Sequence, residues 1–335
     1  MAAVTLSGVA RHAGVSLATA SRVLNGSSRR PAEEIAERVR AAAAELGYVP
    51  NAQAQALARS STGLVGLVVH DISDPYFSSI ARGVQHAARQ YQRQVLLAST
   101  DPSEGAERDA VSAFASHRTD AIILAGSRRA HADPELEREL ARYEQNGGHV
   151  VTIGGSPGSG STVRVGNAEG AAALVSELVS RGLTRFAILA GPPELNTARE
   201  RVAGFTDSLK AAGLEAAAVV SSAFTREGGY EAAQECWKQL HGERGICLLA
   251  VNDVMAIGAI AGLRDVGAHV PADALVTGFD DIPTLRDFSP ALTTVRLPLE
   301  QLGELAANLA LNPEQGEQGP IQGEVLIRES AGADK

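Results

Sequence analysis

The chain has few of the residues and patterns that disulfide scaffolds, membrane spans and metal centres require. Its 335 residues include only Cys236 and Cys247, too few for a disulfide framework and typical of a reducing compartment. No apolar run approaches the ~18 residues that cross a bilayer, and the first residues lack the apolar stretch of a secretory signal. The eight histidines show no metal-ligand spacing. We therefore expect a cytoplasmic protein with no membrane partner, metal or cofactor.

Sequence signatures of catalysis are also lacking. Residues 154–158 match the G-x-S-x-G pattern of hydrolases in form, but that pattern needs a helix directly after the serine. Pro157 and Gly158 follow Ser156 instead, which favours a loop. Neither phosphate-binding glycine pattern, G-x-x-x-x-G-K-[ST] or G-x-G-x-x-G, occurs in the chain. No catalytic residue is therefore expected.

The charge of the chain is unevenly distributed. The net charge is −9, yet residues 1–60 carry +3 and the remainder carries −12. Residues 1–30 contain four arginines and no carboxylate. A basic head on an acidic body indicates that only the head approaches a polyanion.

The first 50 residues predict three short helices. Thr5 can cap the first helix, and a break at residues 13–15 precedes Ser16, which can cap a second helix from Leu17 to Leu24. Pro31 suits the first turn of a third helix. A helix, a short turn and a serine-capped helix form the helix-turn-helix arrangement, whose second helix enters the major groove of DNA. An ordinary three-helix packing unit is the alternative interpretation.

The predicted DNA contacts come mainly from the second helix. Leu17 and Ala18 at its beginning, and Arg22 one turn later, would face base edges, and Arg22 could make a bidentate contact to guanine. Hydroxyl groups and helix amides around them can donate to phosphates. The DNA-contacting residues of the head are predicted to be Thr5, Ser16, Leu17, Ala18, Thr19, Ser21, Arg22 and Asn25; a family resemblance, carried by the motifs below, adds Asn51 and Leu57.

After Gly63 the pattern changes to continuous apolar runs that alternate with amphipathic helical stretches. Such runs indicate parallel sheets covered by helices on both faces. They could form one large sheet or two doubly wound lobes, and the Gly/Ser-rich residues 154–161 favour a crossover between two lobes. The predicted strands are Leu64–Val69, Val95–Ala98, Ala121–Ala125, Val150–Ile153, Phe186–Ala190, Ala217–Val220, Ile246–Val251 and Leu275–Phe279.

Several motifs in a fixed order carry a resemblance to a known family. Residues 5–26 read TLSGVARHAGVSLATASRVLNG and residues 44–51 read AELGYVPN. The later motifs are VVHDISDPYF at 68–77, LAGP at 189–192, VND at 251–253, GFDD at 278–281, LTTV at 292–295 and IRES at 327–330. Over nearly its whole length the chain resembles the lactose/galactose repressor (LacI/GalR) family. Gly8 departs from the family, which often has an acidic residue there, and this weakens the first capping box.

The resemblance implies an all-α helix-turn-helix head and an α/β body of two doubly wound parallel-sheet lobes, like the periplasmic binding proteins. We expect a DNA-binding domain at residues 1–50, a hinge helix and linker at 51–62, and a two-lobed effector-binding and dimerisation domain at 63–330. The implied function is a ligand-responsive transcriptional regulator, a repressor that binds a palindromic double-stranded DNA operator as a homodimer. No heptad tail follows Ser330, which favours a dimer over a tetramer.

The hinge segment is predicted to form a helix only on DNA. Eight residues, Asn51–Ala58, make a helix that is marginal in water, so pairing with its twin on DNA would be needed to order it. Leu57 resembles the family's wedge, which inserts into the minor groove and kinks the central base step. Packing of Leu57 on the body is the alternative.

The effector cleft is expected where the carboxyl ends of the strands of the two lobes face each other. By resemblance, Arg201, Phe224, Asn252 and Asp280 match effector-contacting positions, and their groups suit vicinal hydroxyls and stacking on a sugar face. A sugar or sugar derivative is expected, although arginine could equally clamp a carboxylate or phosphate. Leu297 stands where the family commonly has glutamine, which removes one polar contact. The effector-binding residues are predicted to be Asp74, Tyr76, Phe77, Ser127, Arg201, Phe224, Asn252 and Asp280.

A second class of function shares the body but not the head. A free-standing sugar-binding or sugar-processing protein could use the same two-lobed architecture, because fold does not imply function. The first 60 residues favour the DNA-binding regulator.

Overall fold

A computed structural model of the chain describes residues 4–25, 31–49, 61–100, 105–126, 133–155, 158, 160–316 and 319–332. The chain divides by its internal contacts into one unit that ends at Gly63 and a second that begins at Leu64. The predictions for Asn51, Leu57 and Ser127 lie outside the described residues. Within the described ranges, no helix combines the length and the apolar character needed to cross a membrane.

The first unit contains the three helices that the sequence predicts: α1 (Leu6–His12), α2 (Leu17–Asn25) and α3 (Glu33–Glu45). The Thr5 side chain accepts from the Gly8 amide at 3.2 Å, and the Ser16 hydroxyl accepts from the Thr19 amide at 3.1 Å, so both predicted caps are confirmed. Gly14 has φ +65°, which lets the chain turn between α1 and α2. The prediction for Pro31 is wrong, because α3 begins two residues later with Ala32 as its N-cap.

A small apolar core holds these three helices together. Side chains from all three are buried in one cluster: Val9, Ala10, Ala20, Val39, Ala42 and Ala43. The cluster consists mainly of alanine and valine, so the helices can approach closely without large side chains.

The second unit contains two parallel sheets, which confirms the predicted pair of doubly wound lobes. The first sheet has the strand order β2-β1-β3-β4-β5 and the second β7-β6-β8-β9, with all pairings parallel. A short antiparallel pair, β10 and β11, adjoins the end of the second sheet through two isolated parallel bridges, Thr277 with Thr293 and Asp280 with Arg296. The strands are β1 (Leu64–Val69), β2 (Gln94–Ser99), β3 (Ala121–Ala125), β4 (His149–Ile153), β5 (Ser161–Val163), β6 (Phe186–Ala190), β7 (Ala216–Ser221), β8 (Ile246–Ala250), β9 (Ala274–Thr277), β10 (Thr294–Arg296) and β11 (Glu324–Leu326).

Helices connect consecutive strands within each sheet, except β4 and β5. In the first lobe Asp74 caps α4, with Pro75 as its first residue. The last long helix, α11, returns to the first lobe and packs along α4. The helices of this unit are α4 (Pro75–Gln90), α5 (Ala106–Ser116), α6 (Pro134–Gln145), α7 (Asn167–Ser180), α8 (Asn196–Ala211), α9 (Arg226–Gln239), α10 (Asp253–Asp265) and α11 (Leu299–Leu311), with short 3₁₀ helices at Pro283–Asp287, Pro313–Gln315 and Glu329–Ala331.

The crossover between the lobes lies later than the sequence suggests. The Gly/Ser-rich residues 154–161 connect β4 to β5, and these two strands pair within the first sheet. The chain crosses to the second lobe only at residues 164–166, between β5 and α7. Because β5 has three residues, its apolar pattern is too short to be recognised in the sequence.

Candidate DNA-reading surface and effector cleft

The predicted base-reading side chains of α2 are exposed. Leu17 is 51% exposed, unusual for a large apolar residue, and Ala18 and Arg22 are also exposed. The guanidinium of Arg22 makes no hydrogen bond or ion pair to any residue that the structure describes. The start of α2 therefore presents an apolar contact surface and a free planar donor, and α2 carries no acidic residue.

Hydroxyl groups surround these three side chains. The Ser16 and Thr19 hydroxyls lie 2.8 Å apart, and the Ser21 hydroxyl accepts from Asn25 Nδ2 at 3.0 Å. Thr5 caps α1 and is exposed. These groups have the chemistry of phosphate contacts, which position a helix in the groove without reading sequence.

The centre of the second unit's candidate site is a buried ion pair. Arg201 is 2% exposed and Asp280 is 4% exposed. Arg201 Nη2 donates to Asp280 Oδ1 at 2.7 Å, and Nη1 donates to Asp280 Oδ2 at 3.3 Å. The guanidinium also lies 3.9 Å above the ring of Phe279. Arg201 belongs to α8, which begins at Asn196, so a helix positions it.

Asp280 has an unfavourable backbone conformation, and its carboxyl group is buried. Its φ of +115° is one that non-glycine residues rarely adopt, and Asp281 follows with φ +54°. Burial raises the pKa of Asp280 to about 6, although the charge and hydrogen bonds of Arg201 act in the opposite direction. Backbone outliers of this kind cluster at binding sites, where the surrounding structure enforces them.

The first lobe contributes the start of α4. Asp74 accepts from the Tyr76 amide at 2.9 Å, and the Tyr76 and Phe77 rings meet edge to face at 5.0 Å. Burial raises the pKa of the Tyr76 phenol, and the negative charge of Asp280 raises it further. Burial also raises the pKa of Asp74, on which Arg201 acts in the opposite direction. The start of α4 is therefore within electrostatic range of the Arg201–Asp280 pair of the second lobe.

Asn252 combines a structural role with a free donor. Its Oδ1 accepts from the Met255 amide at 2.8 Å, which caps α10. Its Nδ2 donates to no residue in the described part of the chain. The neighbouring Asp253 is fully buried, where it accepts from Thr294 Oγ1 at 2.6 Å and from the Ile282 amide at 2.9 Å. Burial and the charge of Asp280 raise the pKa of Asp253.

The remaining predicted residues lie in different surroundings. The ring of Phe224 is half-buried against Gly191, where an added Cβ would lie 2.5 Å from the ring. Leu297 is 3% exposed and packs in the core. Ser127 lies outside the described residues.

Two positions around the ion pair escaped the sequence analysis as site residues. Asn167 accepts from Arg201 Nε at 3.0 Å, and the Val251 carbonyl accepts from Nη1 at 2.8 Å. The sequence offered no signal for Asn167, because its pattern placed the crossover at residues 154–161. Among the residues that the structure describes, no group of three or more metal-ligating side chains could hold an ion.

Comparisons with known proteins agree with this arrangement. The family described as "Bacterial regulatory proteins, lacI family" matches residues 5–51, and "Periplasmic binding protein-like domain" matches residues 175–330. The transcriptional regulator GalS of Salmonella typhimurium is 35% identical over 318 residues, which cover 93% of this chain and 91% of GalS.

Solved structures show the same similarity in three dimensions. The lac repressor dimer bound to operator and the anti-inducer ONPF is 26% identical, covers 99% of this chain and 100% of its own, and has a TM-score of 0.85. The transcriptional regulator CelR in complex with cellobiose is 29% identical, covers 98% of this chain and 99% of its own, and has a TM-score of 0.69. These relatives are regulators, which agrees with the expectation that this protein is not an enzyme. The similarity extends over head and body alike, and the chain belongs to the lacI family of bacterial regulatory proteins.

Proposed function

We propose that this protein represses transcription by binding a palindromic DNA operator as a homodimer in the cytoplasm, with an affinity that a small effector sets. The observation that supports DNA reading most directly is the exposed, acid-free face of α2 with Leu17, Ala18 and Arg22. The operator-bound lac repressor dimer, which covers 99% of this chain, supports the same assembly. The proposed domains are residues 1–50 for DNA binding, 51–62 for the hinge with Leu57 as minor-groove wedge, and 63–330 for effector binding.

A selected operator tests the DNA-reading role. The full-length protein is used to select a duplex from a random pool, and binding to that duplex and to a random duplex is measured by fluorescence anisotropy. Arg22→Ala is expected to weaken binding to the selected duplex by roughly 5–150-fold, because a bidentate base contact contributes ~1–3 kcal/mol of discrimination. Binding to the random duplex should change little. Arg40→Ala is the matched control, since Arg40 is exposed on α3 and pairs with Glu33 at 2.8 Å.

Equal losses on both duplexes would contradict base reading by Arg22. Binding to either duplex should also weaken steeply as salt rises, because phosphate contacts release counterions.

The effector is proposed to be a neutral, hydroxyl-bearing molecule such as a sugar. Arg201 is already neutralised by two hydrogen bonds to Asp280, so little positive charge remains there to attract a phosphate or carboxylate. Asp74 adds further negative charge nearby, while Tyr76 and Asn252 Nδ2 offer groups for hydroxyls. The complex of the related CelR with cellobiose supports the sugar class.

Paired ligands test this choice. Thermal shifts are measured with cellobiose, and with glucose and galactose beside their phosphate esters. A neutral sugar is expected to raise the melting temperature, and Asp280→Asn is expected to abolish the shift because the variant loses the paired carboxylate. Glu177→Gln, which alters an exposed carboxylate of α7, should leave the shift unchanged. A shift that only a phosphate ester produces, and that Arg201→Met removes, would contradict a neutral effector.

A further inference from the structure

Two of the segments that connect the lobes are joined to each other. Val165, in the first crossover, forms a parallel bridge with Ile321, in the return segment after α11. The Ile321 amide donates to the Arg164 carbonyl at 2.9 Å, and the Gly166 amide donates to the Ile321 carbonyl at 2.9 Å. A Cβ on Gly166 would lie 2.6 Å from Gln322 Oε1, so the two segments are in close contact. These residues are called the crossover pair below.

Asn167 follows the crossover pair directly and begins α7. Its side chain is 3% exposed and both of its polar atoms are used. Oδ1 accepts from Arg201 Nε at 3.0 Å, and Nδ2 donates to Glu200 Oε2 at 2.9 Å. Its backbone amide donates to the Val165 carbonyl at 2.9 Å. One residue thus connects the crossover pair to the arginine of the candidate effector site.

The donors of Arg201 are nearly all committed. A guanidinium has five N–H groups in one rigid plane. Within the described residues, Nε donates to Asn167, Nη1 to the Val251 carbonyl and Asp280, and Nη2 to Asp280. A ligand that bonds to Arg201 or Asp280 must therefore alter these existing bonds. Because the plane is rigid, a tilt at the Nη end also moves the Nε–H that Asn167 accepts.

We propose that Asn167 is a positioning residue that couples the Arg201–Asp280 pair to the crossover pair. Rearrangement of the ion pair changes the hydrogen bond to Asn167, and Asn167 passes the change to the segments that connect the lobes. The coupling rests on the proposed effector function for its physiological use. The mechanical link itself exists in the ligand-free protein and can be measured there.

Hydrogen exchange of the full-length, ligand-free protein tests this link. Asn167→Ala is expected to speed exchange in peptides that cover residues 164–167 and 321–323 by about tenfold, the effect of losing a hydrogen bond to a charged group. Arg201→Lys keeps a cation beside Asp280 but loses the Nε–H, and is expected to have the same effect on these peptides. The double variant should exchange no faster than either single variant, because both remove the same bond.

Matched variants separate coupling from general destabilisation. Glu200→Gln keeps an oxygen that can accept from Asn167 Nδ2 and should leave the crossover peptides unchanged. Asn167→Asp combined with Glu200→Gln keeps an oxygen at position 167 that accepts from Arg201 Nε. In this double variant the side-chain amide at position 200 donates to the carboxylate at position 167, so the second hydrogen bond is kept with its direction reversed. This variant should therefore exchange at the wild-type rate in the crossover peptides. Peptides from β3 report global unfolding and should not change in any of these variants.

Three results would overturn the proposal. They are unchanged exchange at the crossover peptides in Asn167→Ala, additive effects in the double variant, and loss of protection in Asn167→Asp combined with Glu200→Gln while β3 stays protected. Failure of the effector proposal looks different, because it is the loss of any sugar-dependent shift while the crossover peptides still respond to Asn167→Ala.

Discussion

The two groups of the Arg201–Asp280 pair lie in different local environments. The guanidinium is stacked on Phe279 and fully surrounded by acceptors, whereas the carboxylate sits on a strained backbone with its pKa raised to about 6. A buried pair of this kind costs desolvation energy that its attraction barely offsets. The pair is therefore a weak source of stability, which agrees with its proposed place in the effector site.

The raised pKa of Asp280 predicts how stability changes with pH. The folded protein holds this proton up to pH about 6, while the unfolded chain releases it near its ordinary value of 3.8. The group's contribution is therefore present at low pH and is lost as pH rises through 6. Between pH 4.5 and 7 the free energy of unfolding of the wild type should fall by roughly 2 kcal/mol relative to that of Asp280→Asn.

Urea denaturation at several pH values measures this difference. Subtracting the variant cancels the slopes of carboxylates whose pKa does not depend on Asp280, such as Asp281, whose pKa is lowered because hydrogen bonds from Arg328 and Arg296 outweigh its burial. A difference that stays constant with pH would show that Asp280 titrates normally.

For individual residues, the sequence could indicate which side chains follow the ends of the strands. It could not indicate which of those side chains contact each other. Asn252 was predicted to contact effector; its oxygen caps α10, and its nitrogen donates to none of the residues that the structure describes. Arg201 and Asp280 are 79 residues apart, and their contact depends on how α8 packs against the sheet. Spacing along the chain carries no information on such a contact, nor on the role of Asn167.

Among the elements, the long buried strands were predictable and the short ones were not. β3 and β8 are buried at every position, so each appears in the sequence as a continuous apolar run. β5, β10 and β11 have three residues each, and pairing with distant segments defines them instead of a periodic pattern. The expected crossover was misplaced for this reason, since β5 had no recognisable signal.

The contact between α4 and α11 depends on two glycines that face each other. A Cβ on Gly83 would lie 1.9 Å from the Glu300 carbonyl oxygen, and one on Gly303 would lie 2.1 Å from the Ile80 carbonyl oxygen. Because both obstacles are backbone atoms, a side chain could be accommodated only if the helices separated. This close approach fixes the start of α4, where Asp74 and Tyr76 lie.

Gly303→Ala is accordingly expected to destabilise the second unit by ~1–3 kcal/mol, the usual cost of overpacking. Urea denaturation followed by the fluorescence of Trp237, the single tryptophan, reports this unit. Gly8→Ala is the control: its Cβ would lie 3.6 Å from Thr5 Oγ1, an ordinary contact, and it lies in the first unit. It should leave the Trp237 transition unchanged. A Gly303→Ala transition at the wild-type urea concentration would show that the helices separate without cost.

For the whole molecule, the uneven charge and the division at Gly63 agree with a regulator that binds DNA through one unit and effector through the other. Residues 1–60 carry a net charge of +3, so attraction to phosphates acts in the unit that contains α2, while the remainder, with −12, is repelled by DNA. Effector and operator affinities are then linked reciprocally: an effector that weakens operator binding must itself bind operator-bound protein more weakly by the same factor.

The assembly of this regulator is predicted to use the edge strands of both sheets. β2 and β7 are edge strands, and each exposes a large apolar side chain: Leu97 is 45% exposed and Val219 is 54% exposed. Exposed apolar residues on a sheet edge favour association, and in a two-fold symmetric dimer each substitution is present twice.

Leu97→Glu and Val219→Glu are each expected to raise the dimer Kd by about tenfold or more, because each copy loses apolar burial and adds a charge. Analytical ultracentrifugation measures the Kd, with Gln145→Glu on the exposed face of α6 as the charge-matched control. A dimer that both variants leave as tight as the wild type would place the interface elsewhere on the body.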